Sequence, residues 1–119
     1  MPLLSDKEQD LLRRYIILNV VRQAFERDIE ALAQLQLKFS EPLMEFFTNQ
    51  LYSVSKELTP LKRAMARQQL TIEKSVNDGF FTEYVYRYRG YEGVTRILNA
   101  QLKHAAFSYV TALLSNKKE

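Results

Sequence analysis

Residues 70–93, LTIEKSVNDGFFTEYVYRYRGYEG, alternate on a two-residue period in a chain whose other apolar residues recur at helical spacing. That alternation around Asn77-Asp78-Gly79 predicts a β-hairpin, with strands at about 70–76 and 80–89. A three-residue loop with Gly79 in the left-handed conformation sets Val76 opposite Phe80. The facing pairs are then Lys74 with Thr82, Ile72 with Tyr84, and Leu70 with Tyr86, with Tyr88 continuing the same face. Thr71, Glu73, Ser75, Phe81, Glu83, Val85, Arg87 and Arg89 make up the more polar second face. Phe81, Tyr84, Tyr88, Tyr91, Thr95, Leu98 and Leu102 also keep helical spacing, so a helix reaching back to residue 81 competes with the hairpin. The turn signal, the β-rich composition and the glycines at 90 and 93 favour the hairpin.

Helices surround it. Ser5 followed by Glu8 has the spacing of a capping box, so a first helix starts near Asp6. Its stripe is Leu11, Tyr15, Leu18, Val21, Phe25, Ile29, Leu32 and Leu35. Ile16, Ile17, Val20 and Val21 broaden the stripe into a belt that needs cover on two sides, from the last helix or from a second copy of the chain. Residues 36–39 form the connection, and Ser40 with Pro42 opens a second helix, onto whose Met44 Phe39 is placed to staple. The stripe Met44, Phe47, Leu51, Val54, Leu58, Leu61 and Met65 continues through Pro60. Either the second helix kinks there, which the unbroken register favours, or Thr59-Pro60 starts a new helix. A last helix, with the stripe Val94, Leu98, Leu102, Ala105, Tyr109 and Leu113, is predicted to begin between Tyr91 and Val94, and a polar tail follows from Ser115. The expected class is α+β and mostly helical, with two long helices, a hairpin and a C-terminal helix in one domain.

Leu70–Glu92, with its TIEKS strand, its turn, its aromatic strand and Arg89-Gly90-Tyr91-Glu92 leading into a helix, resembles the small YhjD-like proteins of Gram-positive bacteria. The resemblance implies the same helix, helix, hairpin, helix order and carries no functional residue with it.

Composition narrows the classes of function. No apolar run approaches the ~20 residues that cross a bilayer, and the N-terminal MPLLSDKEQD places no cationic region before an apolar core. A soluble cytoplasmic protein without a membrane role is expected. The absence of cysteine excludes disulfides, thiolate metal sites and a cysteine nucleophile. His104 stands alone between apolar residues, without a metal-binding companion. Glu26, Asp28 and Glu30 scatter over different faces of the first helix and form no acid and base pair. Glu73 and Glu83, opposite each other in the predicted register, invite a basic group between them. No glycine-rich phosphate loop is present, so no cofactor and no enzymatic reaction are expected.

The expected function is therefore a non-enzymatic interaction module, a homo-oligomer and specifically a homodimer through the first-helix belt Ile16, Ile17, Val20 and Val21, with a further, unknown protein partner. The alternative is a winged-helix-like reader of nucleic acid. It would place Lys62, Arg63 and Arg67 on a helix beginning at Pro60, and Arg87 and Arg89 on the hairpin's outer face against phosphates. A net charge of +3, spread over 17 basic and 14 acidic residues, makes nucleic acid the less favoured partner.

Overall fold

The computed structural model describes residues 4–115. Its elements are α1 (Asp6–Gln34), α2 (Ser40–Arg67), β1 (Leu70–Asn77), β2 (Phe81–Tyr88), β3 (Tyr91–Leu98) and α3 (Asn99–Ser115). The strands form one antiparallel sheet in the order β1-β2-β3. The class is α+β, mostly helical, as the periodicities indicate. Of the predicted polar tail, residues 116–119 lie outside the described residues.

The capping box opens α1 as its spacing predicts. The Ser5 amide donates to Glu8 Oε1 at 2.8 Å, and the Glu8 amide donates to Ser5 Oγ at 3.2 Å, which satisfies two helix-end donors reciprocally. From there α1 passes between two layers. Leu12 and Ile16 join Met65, Leu70, Tyr88, Ile97 and Leu102 in one cluster. Leu18, Val21 and Phe25 join Val54, Leu58, Leu61 and Ala106 in a second. The sheet thus covers one side of α1 while α2 and α3 cover the other, which is the two-sided cover that its wide apolar belt requires.

Pro60 does not break α2, which is continuous from Ser40 to Arg67. Pro60 and Lys56 both face solvent, so water can serve the Lys56 carbonyl that proline leaves without a donor. The side chain of Thr59 donates to the Ser55 carbonyl at 3.2 Å. On the inner face Val54, Leu58, Leu61 and Met65 are all buried, and this packing outweighs the local break signal. At the other end the predicted staple does not form, because Phe39 is 66% exposed. Ser40 turns its hydroxyl back into the connection, donating to the Leu37 carbonyl at 3.1 Å. The helix closes on Gln69, which takes a left-handed φ of 56°. The Gln69 amide donates to the Ala66 carbonyl at 3.0 Å, and its own carbonyl accepts from the Arg89 amide at 2.9 Å. Helix therefore becomes strand with no intervening loop.

Two features of the sheet differ from the sequence reading. The turn is shorter than predicted: the Asp78 amide donates to the Phe81 carbonyl at 3.0 Å around Gly79 and Phe80, and Gly79 has a φ of 100°. The register near the turn pairs Val76 with Glu83 and Lys74 with Val85, and a bulge at Glu73 then resets it, so that Ile72 faces Tyr86 and Leu70 faces Tyr88. A shift by an odd number of residues swaps faces, which is why Lys74 and Val76 lie on the outer face while Leu70 and Ile72 stay with the tyrosines as expected. The second difference is β3. Residues 91–98 form a strand, and the last helix begins at Asn99 rather than near Tyr91. Arg89 and Gly90, with φ of 51° and 86°, make the two-residue turn between Tyr88 and Tyr91, the primed geometry that suits strand twist. Gly93 lies opposite Tyr86, whose ring occupies the space that a Cβ at residue 93 would need.

With 17 residues, α3 is shorter than α1 at 29 and α2 at 28, so the joined ends of the two long helices project past it. The molecule measures 57 × 34 × 20 Å. Its radius of gyration of 16.3 Å exceeds the roughly 13–14 Å of a compact chain this long.

Candidate interaction surfaces

The projecting end of the α1–α2 hairpin carries the main exposed apolar surface. Leu35 is 53% exposed, Leu37 47%, Phe39 66%, Leu43 39% and Phe46 41%, all within a twelve-residue stretch of chain. Along α2, Val54 and Leu58 lie under α1 and α3, and Tyr109 of α3 donates from its hydroxyl to Glu57 Oε2 at 2.6 Å. Leu43 and Phe46 lie beyond that cover. The aromatic pair Phe46 and Phe47 is tilted, with centroids 5.9 Å apart, and Phe47 in turn meets Phe25 at 5.9 Å, so the exposed ring rests on a fixed base. Beside this seam Gln50 is 2% exposed, and its side-chain carbonyl oxygen has no hydrogen-bond partner.

The belt on α1 is used within the chain. Ile16 and Val21 are 2% and 1% exposed and belong to the two core clusters. Ile17 and Val20 are half-buried and pack against the same clusters. Ile17 lies towards Ala105 and Tyr109 of α3 and Val20 towards Ile72 and Tyr84 of the sheet. The last helix thus supplies one cover, as one of the two expected alternatives has it, and the sheet supplies the other, with Ile97 of β3 beside Ile16.

The basic residues lie on two adjoining elements, the end of α2 and the turn-proximal end of β2. Lys62, Arg63 and Arg67 are exposed on the unbroken last turns of α2, so no separate short helix begins at Pro60. Arg87 is occupied: its Nε donates to Glu73 Oε2 at 2.7 Å, and Glu92 Oε1 lies 3.9 Å from its Nη2. Arg89 sits over the Tyr88 ring at 5.0 Å, and its Nη2 donates to Gln68 Oε1 at 3.4 Å.

The glutamates predicted to face each other are separated by the bulge, and each has its own arginine. Glu83 is 3.8 Å from Arg96, which also stacks on Phe81 at 4.2 Å and lies 3.9 Å from Asp78. The hydrogen bond from Arg87 holds the Glu73 carboxyl below the usual carboxylate range. The backbone amides of Phe81 and Phe80 do the same for Asp78. The Ser5 amide, followed by the Tyr88 hydroxyl, lowers Glu8. Tyr88 donates to Glu8 Oε2 at 2.7 Å and is raised by that bond, while Tyr109 is raised first by burial and then by its bond to Glu57. Each of these groups is thus held by a partner within the fold, an arginine, backbone amides, a phenol or a carboxylate. His104 is exposed on α3. Among the described residues, no group of three or more His, Asp or Glu is placed to hold a metal ion, and no helix is long and apolar enough to cross a membrane.

Fold and surface together define a small helical-hairpin protein capped by a three-stranded sheet. The model of the YhjD protein family matches residues 3–118, and the chain belongs to that family. No curated protein and no solved structure matches it.

Proposed function

We propose that the chain is a non-enzymatic interaction module that holds another protein at the open end of its α1–α2 hairpin. The observation that carries the reading is the group Leu35, Leu37, Phe39, Leu43 and Phe46, exposed together on one end of the molecule. Scattered apolar residues are ordinary on a protein surface, whereas five exposed within twelve residues of one helical hairpin's end, two of them aromatic, favour a partner. The patch is rimmed by Glu41, Glu45 and Lys38, a mixed polar border of the kind that surrounds protein interfaces. Self-association through the α1 belt is not part of this reading, because Ile16 and Val21 are core.

The test is recovery of tagged protein from extract of its native cell, comparing wild type with a Phe39→Ser/Phe46→Ser variant. Both side chains are exposed, so the variant keeps its helical signal. The reading expects one partner at near-equal amount with the wild type and its loss with the variant. The same proteins recovered with both would count against it.

A further inference from the structure

The geometry points to a second interface, at the free edge of β3, where two copies of the chain join their sheets about a twofold axis at Val94. This goes beyond the hairpin-end reading and does not depend on it. Two edges of the sheet are open, and they are unlike. The β1 edge is interrupted by the bulge at Glu73 and carries Lys74, both of which discourage further pairing. In contrast β3 runs eight residues in unbroken register with β2, has no proline, and leaves Tyr91, Val94 and Leu98 exposed by 51%, 51% and 39%. Such an edge is a template for another strand unless something covers it. Among the described residues nothing closes it: beside it lies an open groove of about 430 Å³, between Gln9 and Arg13 of α1 and Val94 and Thr95 of β3.

The pairing of β3 fixes which of its groups are free. Tyr88 and Tyr91 flank a two-residue turn, so Tyr91, Gly93, Thr95 and Ile97 direct their backbone groups to β2. Glu92, Val94 and Arg96 then direct theirs outward. An antiparallel second copy centred on Val94 pairs Val94 with its own counterpart, and Glu92 with the second copy's Arg96, twice over.

The side chains agree with that register. On the outer face Arg87 lies beside Glu92, and Glu83 beside Arg96. Across the axis the row becomes Arg87, Glu92, the second copy's Arg96 and its Glu83, alternating in sign at every step. The central row brings Val85 and Val94 against the same two residues of the other copy. On the helix-covered face, Tyr91 meets the second copy's Ile97, and Gly93 its Thr95. Opposite charges and aromatic or branched pairs across strands are each favourable, and like charges are not. A strand of random sequence does not satisfy all of these in one symmetric register, and this self-complementarity names a second copy as the occupant.

The chain has no cysteine, so a Val94→Cys variant under mild oxidation reports the axis directly. Antiparallel partners across it have Cα atoms about 5.5 Å apart, within disulfide reach. In Glu92→Cys the two sulfurs are four residues out of register, roughly 13 Å. The expected result is rapid disulfide dimer from Val94→Cys and at least tenfold slower dimer from Glu92→Cys. In sedimentation the wild type should be a dimer that either Glu92→Arg or Arg96→Glu weakens by tenfold or more, and that the double variant restores. All of these positions are solvent-facing, so the fold survives. A wild type that is monomeric at roughly 100 μM, where any association of micromolar Kd is populated, would overturn the inference. So would a dimer indifferent to both charge reversals, or equal cross-linking at residues 92 and 94. None of these outcomes bears on the hairpin-end partner, whose loss is read with Phe39 and Phe46.

Discussion

Replacing Gly93 with alanine should destabilise the protein, and should stop doing so once Tyr86 is removed. A Cβ built on Gly93 would lie 2.5 Å from the Tyr86 hydroxyl oxygen and 2.7 Å from its Cε1, well inside contact distance. Tyr86 is packed against the cluster formed by Leu12, Ile16 and Ile97, which limits how far the ring can move. Forcing an extra carbon into such a site costs about 1–3 kcal/mol, while replacing glycine inside a strand returns roughly 0.5–1 kcal/mol of chain entropy. The net cost should be about 1–2 kcal/mol in the wild type. In a Tyr86→Ala background only the entropic gain remains, so the sign reverses and the coupling between the two sites is about 1–3 kcal/mol. Urea unfolding at one fixed protein concentration measures all four corners of the cycle, with unchanged m values as the condition for comparing them. Equal costs of Gly93→Ala in the two backgrounds, or no cost in the wild type, would refute the packing of this ring on the third strand.

Three further outcomes follow from the structure. Pro60→Ala should stabilise the protein by roughly 1–3 kcal/mol, since residue 60 is solvent-facing and the change restores a helical donor for Lys56; a lowered Tm would contradict the continuous helix. Gln50→Leu should raise stability by about 1 kcal/mol or more by removing a buried oxygen that lacks a partner, and urea unfolding reads it. Acid should weaken the fold: Glu8, Glu73 and Asp78 are held below their ordinary values of 4.5, 4.5 and 3.8. On acidification the unfolded chain therefore takes up protons first. The stability they add is present above about pH 5 and lost as pH falls through and below those values. Thermal melts from neutral to acidic pH should show that fall, less steeply in Glu73→Gln, and a Tm that rises on acidification would contradict it.

The parts of the fold legible in the sequence were those set by local chemistry. Ser5 and Glu8 announce the start of α1, and the stripe through Val54, Leu58, Leu61 and Met65 carries α2 past Pro60 because burial of that face decides the matter. The tyrosine face of the hairpin was legible from alternation alone. The bulge at Glu73 was not, since an extra residue in a strand leaves no compositional mark. The third strand was hidden by coincidence: Tyr91, Val94 and Leu98 fit a helical stripe as well as one strand edge, and the turn before it uses Arg89 at positive φ, where asparagine or aspartate is the familiar signal. Tyr-Arg-Gly-Tyr followed by the β-branched Val94, Thr95 and Ile97 was the available clue. Which apolar residues stay exposed was not legible either. The missing strand left Ile16 without Ile97 as a neighbour, whereas the exposure of Leu35 to Phe46 follows from tertiary packing that no local pattern marks.

Cross-linking inside the native cell tests the central claim most directly. A photoreactive aromatic amino acid is introduced in place of Phe39, at the end of the hairpin, and separately in place of His104, an exposed position on α3. If the hairpin end holds another protein, irradiation should give a discrete adduct from position 39 and none of that mass from position 104. Adducts of one pattern from both positions, or none from position 39, would contradict it.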